Sequence, residues 1–422
     1  MISRAHRSRL SDWWWTVDRA MLTLVLLLLL SGLVLSFAAS PAVAERLGLE
    51  SLHFVLRHAA YAPVAAAVMV GLSFLTPRQV RRAALVLLIV CLALMVLVLF
   101  VGAEIKGSRR WLFIAGVSIQ PSEFLKPAFI VITAWLFAEG SRRPDVPGKM
   151  LAMALLIITA ALLVAEPDLG QTILFVAVWG ALFFLAGVSS MLVLGLSGAG
   201  IAALLAAYWA FPHVAGRINR FLDPASGDNF QVVTALESFE RGGWSGSGPG
   251  EGMMKRVLPD SHTDFVFAVV GEEFGIVLCL LIVALFSGLV MRGMLQALKR
   301  NSAFERMAIA GLATQIGLQA FINMGVNLHL LPTKGMTLPF ISYGGSALLS
   351  SALTMGFLLA LSRRSAESRV TVAPRPAAAL SEAAAIPRRH APAWRANGPS
   401  RPASRPKSPR GCGASRPPER RR

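Results

Sequence analysis

The sequence predicts an all-α, polytopic membrane protein with about ten transmembrane helices, and three observations lead there. First, only 15% of the 422 residues are charged while 55% are hydrophobic. A soluble domain carries about 25% charged residues, so much of this chain has no aqueous surface to cover. Second, uncharged apolar runs such as 21–37 and 83–101 approach or exceed the roughly 18 residues that span a hydrocarbon core. Third, Lys and Arg concentrate in alternate short loops, as they do on the cytoplasmic side of a membrane.

Residues 1–19 read as a cytoplasmic N-terminal segment carrying Arg4, Arg7, Arg9 and Arg19. The first apolar run, 20–39, lacks a small-residue cleavage site and is expected to stay as a helix. Further spans are expected near 58–76, 83–102, 122–138, 150–165, 170–187, 190–211, 266–291, 307–329 and 339–361. Each must be helical, because lipid offers backbone polar groups no partner. Together they make 20–364 one membrane domain with a large extracytoplasmic loop near 211–264. Residues 365–422 are rich in Pro, Ala, Arg and Ser, cannot bury enough apolar surface to fold, and read as a disordered basic cytoplasmic tail. That tail holds much of the net charge of +18, which suits attraction to a membrane surface. No folded nucleic-acid module accompanies it, so nucleic acid is not expected as a partner. Cys91 and Cys279 lie in apolar spans and Cys412 in the tail, so neither a disulfide framework nor a metal site is indicated.

Ten spans put the basic groups Arg78, Arg81, Arg82, Arg142, Arg143, Lys149, Arg292, Lys299, Arg300, Arg306 and Arg363 on one side with both termini. Two outward loops break the rule. One carries Lys106, Arg109 and Arg110; the other carries Arg217, Arg220, Arg241, Lys255 and Arg256. External cations either serve an anionic ligand or snorkel to headgroups, and charge alone weighs the two evenly.

Ionisable residues near or inside spans are costly and point to function. Glu123 and Lys126 share a helix face at i,i+3, which also suits a structural ion pair. Glu166 and Asp168 flank a proline, and Glu272 and Glu273 open the eighth span as candidate packing groups. Lys334 precedes the last span and reads most simply as an anchor. Asp264 follows the glycine-rich run GGWSGSGPGEG and precedes an apolar run. Partial desolvation there raises a carboxylate's proton affinity and suits a general base. In Tyr343-Gly344-Gly345-Ser346 the glycines permit close packing or a local helix break.

The segments KGSRRWLFIAGVSIQPSEFLKP, EPDLGQT, FLDP, LPDSHTDFVFAVVGEEFG and LPTKGMTLPFISYGGS occur in this order, and in that order they resemble the SEDS family of FtsW, RodA and the sporulation relative of FtsW. The likeness covers roughly 15–363, and LPTKG is similar to the FtsW branch. It implies a ten-helix fold in the bacterial cytoplasmic membrane, at the division septum. It implies inverting polymerisation of lipid II, an undecaprenyl-pyrophosphate-linked disaccharide pentapeptide, alongside a class B penicillin-binding protein transpeptidase and other divisome proteins. The family's catalytic aspartate matches Asp264; Arg109, Arg110, Trp111, Glu123, Lys126, His262, Glu272 and Lys334 are the expected substrate-binding residues. A divalent cation, Mg or Mn, is expected only on the substrate pyrophosphate. Glu166 stands where many members have Gln, and Ser245 where a bulkier residue is common. A lipid II flippase and a non-catalytic divisome scaffold are the alternatives. Neither accounts for a base placed at the outer surface.

Overall fold

A computed structural model of the chain describes residues 8–105, 108–114, 116–187, 230–332 and 335–363, with scattered positions between 191 and 219. Residues 1–365 form one compact unit. Most of the expected seventh span at 190–211, the FLDP motif, Lys106, Lys334 and the tail after Arg363 lie outside the described residues.

Helix α1 (Arg9–Thr16) is capped by Ser8, whose hydroxyl accepts from Ser11 N at 3.1 Å. Trp13 donates to Ser73 Oγ at 2.7 Å and stacks on Phe74 at 5.2 Å, so α1 is docked on the end of α4 (His53–Ser73). Helix α2 (Arg19–Ala39) starts at Asp18, which caps Met21 and pairs with Arg292 at 2.9 Å. After the short α3 (Pro41–Arg46) come α4 (His53–Ser73) and α5 (Pro77–Val101), the latter opened by a Thr76/Gln79 capping box.

Strands β1 (Ala103–Ile105), β2 (Ser108–Ile114) and β3 (Val117–Ile119) form a small antiparallel sheet in the order β1-β2-β3. The bundle is otherwise helical, as expected; the one addition among the described residues is that the polar loop around the two arginines is a β-meander. Then follow α6 (Pro121–Arg142), α7 (Gly148–Ala165), α8 (Leu169–Leu185), α9 (Phe230–Gly242), α10 (Met254–Val257), α11 (Val266–Leu298), α12 (Ala303–Asn327) and α13 (Gly345–Leu361).

Among the described residues, α2, α4, α5, α6, α7, α11 and α12 are long and apolar enough to cross a membrane, and α8 and α13 are shorter apolar helices. They fall where nine of the ten spans are expected. Helices α6 and α12 are buried along most of their length, whereas α4, α5 and α11 turn most of theirs outward. The protein is therefore a multi-pass membrane bundle with α6 and α12 at its centre.

Two boundaries differ from expectation for physical reasons. Helix α4 begins at His53 rather than near 58, because His53, Arg57 and His58 dilute the hydropathy of its first turns. The last helix begins at Gly345 rather than 339; residues 335–344 are not helical, and Phe340 has φ 66°. Non-helical backbone at that depth is tolerated where it lines a cavity.

The glycine-rich run repairs a broken helix. Helix α11 kinks at Gly275 (φ 77°). The carbonyls freed at the kink accept from the run instead: Ser247 N reaches Glu272 O at 2.9 Å and Gly248 N reaches Glu273 O at 3.1 Å. Ile276 N turns to Gly243 O at 2.9 Å. A Cβ on Gly275 would sit 2.4 Å from Trp244 O, so the two backbones meet only because that position has no side chain.

Candidate functional site

A cavity of about 740 Å³ opens between the sheet, α4, α6, α8, α9 and the 335–347 segment. Aromatic rings of Tyr61, Trp111, Phe113 and Tyr343 line it alongside the carboxylates of Glu123, Asp168, Asp260 and Asp264 and the guanidinium groups of Arg57 and Arg110. Three helices begin on it: α6 at Gln120, α8 at Asp168–Gly170 and α13 at Gly344–Ala347. Their aligned peptide dipoles favour an anion at this end of the cavity, although α6 opens with Pro121 and the Gln171 N–H of α8 is taken by Asp168.

Asp264 stands at the start of α11, half-buried on the cavity wall. Its N–H donates to Asp260 O at 3.0 Å, closing a turn in which Asp260 has φ 54°. An Asp tolerates that left-handed conformation better than most residues. Opposite Asp264, the segment after Lys334 is close: a Cβ on Gly335 would lie 3.2 Å from Asp264 Oδ2.

The two adjacent arginines part company because strand residues alternate faces. Arg109 pairs across the sheet with Glu104 at 3.6 Å, exposed and away from the cavity. Arg110 faces inward and clamps the connector between α7 and α8. It reaches Asp168 at 3.4 Å, donates to Glu166 O at 3.1 Å and also bonds Pro167 O. The Asp168 carboxyl, which also caps α8 by accepting from Gln171 N, is pushed up by burial and pulled back by Arg110. Glu166 is 1% exposed, and its carboxyl oxygens have no hydrogen-bond partner among the described residues. Burial pushes it up to about 8, with Asp168 raising it further and Arg110 opposing.

Glu123 reaches the cavity from α6, and its carboxylate takes a 2.7 Å ion pair from Lys126 and a 2.6 Å hydrogen bond from Gln171. Lys126 is 2% exposed and does not line the cavity; its other bond, at 2.9 Å, goes to Gln319. The ion-pair reading of these two residues is therefore the observed contact.

Glu272 and His262 are not among the residues that line the cavity. Glu272 is buried behind the glycine-rich run and accepts from Met253 N at 2.7 Å and Met254 N at 2.8 Å, capping α10. Its neighbour Glu273 pairs with Lys255, which is buried rather than offered to an external anion. His262 packs its ring 4.8 Å from Phe54 and 5.4 Å from Tyr343, and its carbonyl accepts from Tyr343 N at 3.0 Å. It supports the wall from behind and does not line the cavity. Trp111 does line it, and Lys334 lies outside the described residues.

Sequence reasoning missed Arg57, Tyr61, Gln231 and Tyr343 as cavity residues. Arg57 and Tyr343 both line the cavity and interact electrostatically. A signal for Arg57 was present, since it and Tyr61 stand one helical turn apart ahead of an apolar span.

The family model for FtsW, RodA and SpoVE, described as a cell cycle protein, matches residues 18–367. A protein from Caulobacter vibrioides named probable peptidoglycan glycosyltransferase FtsW is 46% identical over 363 residues, covering 86% of this chain and 93% of that one. A protein of the same name from Aromatoleum aromaticum is 35% identical over 348 residues, covering 79% and 84%. Among solved structures, a chain of a peptidoglycan synthase complex that coordinates polymerization and crosslinking is similar with a TM-score of 0.70 and 26% identity, covering 82% of this chain and 97% of that one. The rod shape determining protein RodA of Thermus thermophilus is similar with a TM-score of 0.62 and 26% identity, covering 83% and 97%.

Proposed function

Because this chain belongs to the FtsW, RodA and SpoVE family of cell cycle proteins, we propose that it is a peptidoglycan glycosyltransferase that polymerises lipid II during septal wall synthesis. The single observation that carries this reading is the half-buried Asp264 on the wall of a cavity onto which three helix N-termini open. In this reading the Asp264 carboxylate takes the proton of the acceptor sugar hydroxyl as its oxygen bonds the donor's anomeric carbon. The bond from that carbon to the diphosphate breaks, and its electrons leave on undecaprenyl diphosphate. The displacement is direct, so the anomeric configuration inverts. Arg57, Arg110 and the N-termini of α8 and α13 supply the positive field in which that diphosphate departs. The aromatic wall of Tyr61, Trp111 and Tyr343 suits sugar faces and the adjoining isoprenoid.

Among the described residues no three His, Cys, Asp or Glu side chains converge as a metal site. In this reading a magnesium or manganese ion comes with the substrate diphosphate. The proposed partner is a class B penicillin-binding protein, in line with the synthase complex to which the fold is similar. The proposed location is the division septum, with both termini in the cytoplasm.

The test is polymerisation of purified lipid II by the protein reconstituted with its cognate transpeptidase. Asp264→Asn keeps the side chain's size and removes the base, so the rate is expected to fall by about 10²–10⁴, with membrane insertion and partner co-purification unchanged. Near-wild-type polymerisation by that variant would remove Asp264 from the mechanism.

A further inference from the structure

Helix α12 carries amide side chains at Gln315, Gln319, Asn323 and Asn327, one turn apart on a single face. All four are buried. Buried amides are costly unless bonded, and here all four donate to one another or to backbone carbonyls of neighbouring segments. Gln315 donates to Gln319 Oε1 at 3.0 Å, where Lys126 also donates at 2.9 Å. Gln319 then donates to Thr337 O at 3.1 Å. Asn323 spends its Nδ2 on two carbonyls, Asp264 O at 2.8 Å and Met336 O at 2.6 Å. Asn327 donates to the same Asp264 O at 3.0 Å and to Asn323 O at 2.8 Å, while its Oδ1 accepts from Ala268 N at 3.1 Å.

The Asp264 carbonyl thus accepts two amide donors, one for each lone pair. Its N–H is held by Asp260 O on the other side. With the backbone pinned at both ends, only two torsions separate the fixed chain from the carboxylate. The same Asn323 amide ties down Met336, beside the Gly335 that faces Asp264 Oδ2. We propose that Asn323 and Asn327 are positioning residues for Asp264, setting the distance between its carboxylate and the acceptor hydroxyl without touching substrate themselves. The inference rests on the reading of Asp264 as the general base.

The readout is lipid II polymerisation by the full chain with its transpeptidase, with kcat, KM and Tm measured separately. Asn323→Ala and Asn327→Ala are expected to lower kcat about 10- to 100-fold, as small misplacements of a reacting group do. KM is expected to stay within about threefold, since neither residue lines the cavity. The discriminating arm is the cycle with Asp264→Asn, read in single turnover. If Asn323 acts through the Asp264 carboxylate, Asn323→Ala costs nothing further once that carboxylate is gone. Additive losses, or a Tm that falls in step with kcat in the single variants, would overturn the proposal in favour of a purely structural role. Asn323→Asp, which keeps volume but turns an acceptor toward two carbonyls, should be no better than Asn323→Ala; wild-type kcat there would also overturn it. Should Asp264→Asn itself polymerise normally, the underlying assignment fails, an outcome separate from inert asparagine substitutions in an Asp264-dependent enzyme.

Discussion

The Lys126 ammonium lies 2.7 Å from the Glu123 carboxylate and is 2% exposed, so the charge nearest the buried lysine belongs to its own helix. Its second contact is Gln319, which leaves Lys126 as a central strut between α6 and α12. Lys126→Met leaves Glu123 buried and uncompensated. Removing one member of such a pair costs about 3–5 kcal/mol. A marked drop in Tm of the detergent-solubilised protein is expected, with part of it recovered in Lys126→Met combined with Glu123→Gln. An unchanged Tm in the single variant would show the pair to be dispensable.

Glu166 makes stability depend on pH in a definite direction. Its folded pKa lies at about 8, above the ordinary 4.5, because burial disfavours the charge. Between about pH 4.5 and pH 8 the folded chain therefore binds more protons at this site than the unfolded one, and stability declines as pH rises through that window. Above the window the contribution levels off. Glu166→Gln removes the titration and is expected to flatten the Tm–pH curve, with an advantage over the parent at alkaline pH on the order of a few kcal/mol. Parallel curves for the two proteins would contradict this placement of the carboxyl.

Gly275→Ala tests the kink of α11. The new Cβ would meet Trp244 O at 2.4 Å, at a positive φ that side chains rarely adopt. Strain of this kind costs about 1–3 kcal/mol, and relief requires the loop to leave the Glu272 and Glu273 carbonyls. Lower Tm and faster proteolysis within 243–252 are expected. Gly216→Ala, where a Cβ meets nothing within 4 Å, is the matched control.

The proposed topology has both termini on the cytoplasmic side. The Arg363 guanidinium donates to Thr16 Oγ1 at 3.2 Å and to Phe74 O at 3.2 Å, which brings the end of α13 to the N-terminal helix and to the loop before α5. Cysteines placed near Arg142 or Arg78 should resist a membrane-impermeant thiol reagent in intact spheroplasts, and one near Trp244 should react. Labelling near Arg142 from outside would refute the arrangement.

By itself the sequence determined that this is a helical membrane bundle, where nine of its spans lie, and that Asp264 is an ionisable group at a span's edge. Those features follow from local properties: apolar runs of sufficient length and charges that cannot sit in lipid. The family likewise was legible, because ordered motifs survive in the chain itself. Tertiary structure alone decided which of the ionisable residues share a cavity. Arg109 and Arg110 are neighbours in sequence, yet a strand sends one to Glu104 and the other to Asp168. Glu272, expected to bind substrate, and its neighbour Glu273 instead bond backbone N–H groups in and just after the glycine-rich run. Arg57 and Tyr343 lie far apart in the chain and meet only when α4 packs against α13. The amides of α12 look like ordinary polar interruptions of a span until the fold shows two of them on one carbonyl. Composition reports the cost of burying a polar group, whereas the partner that offsets that cost comes from another helix, and only packing selects it.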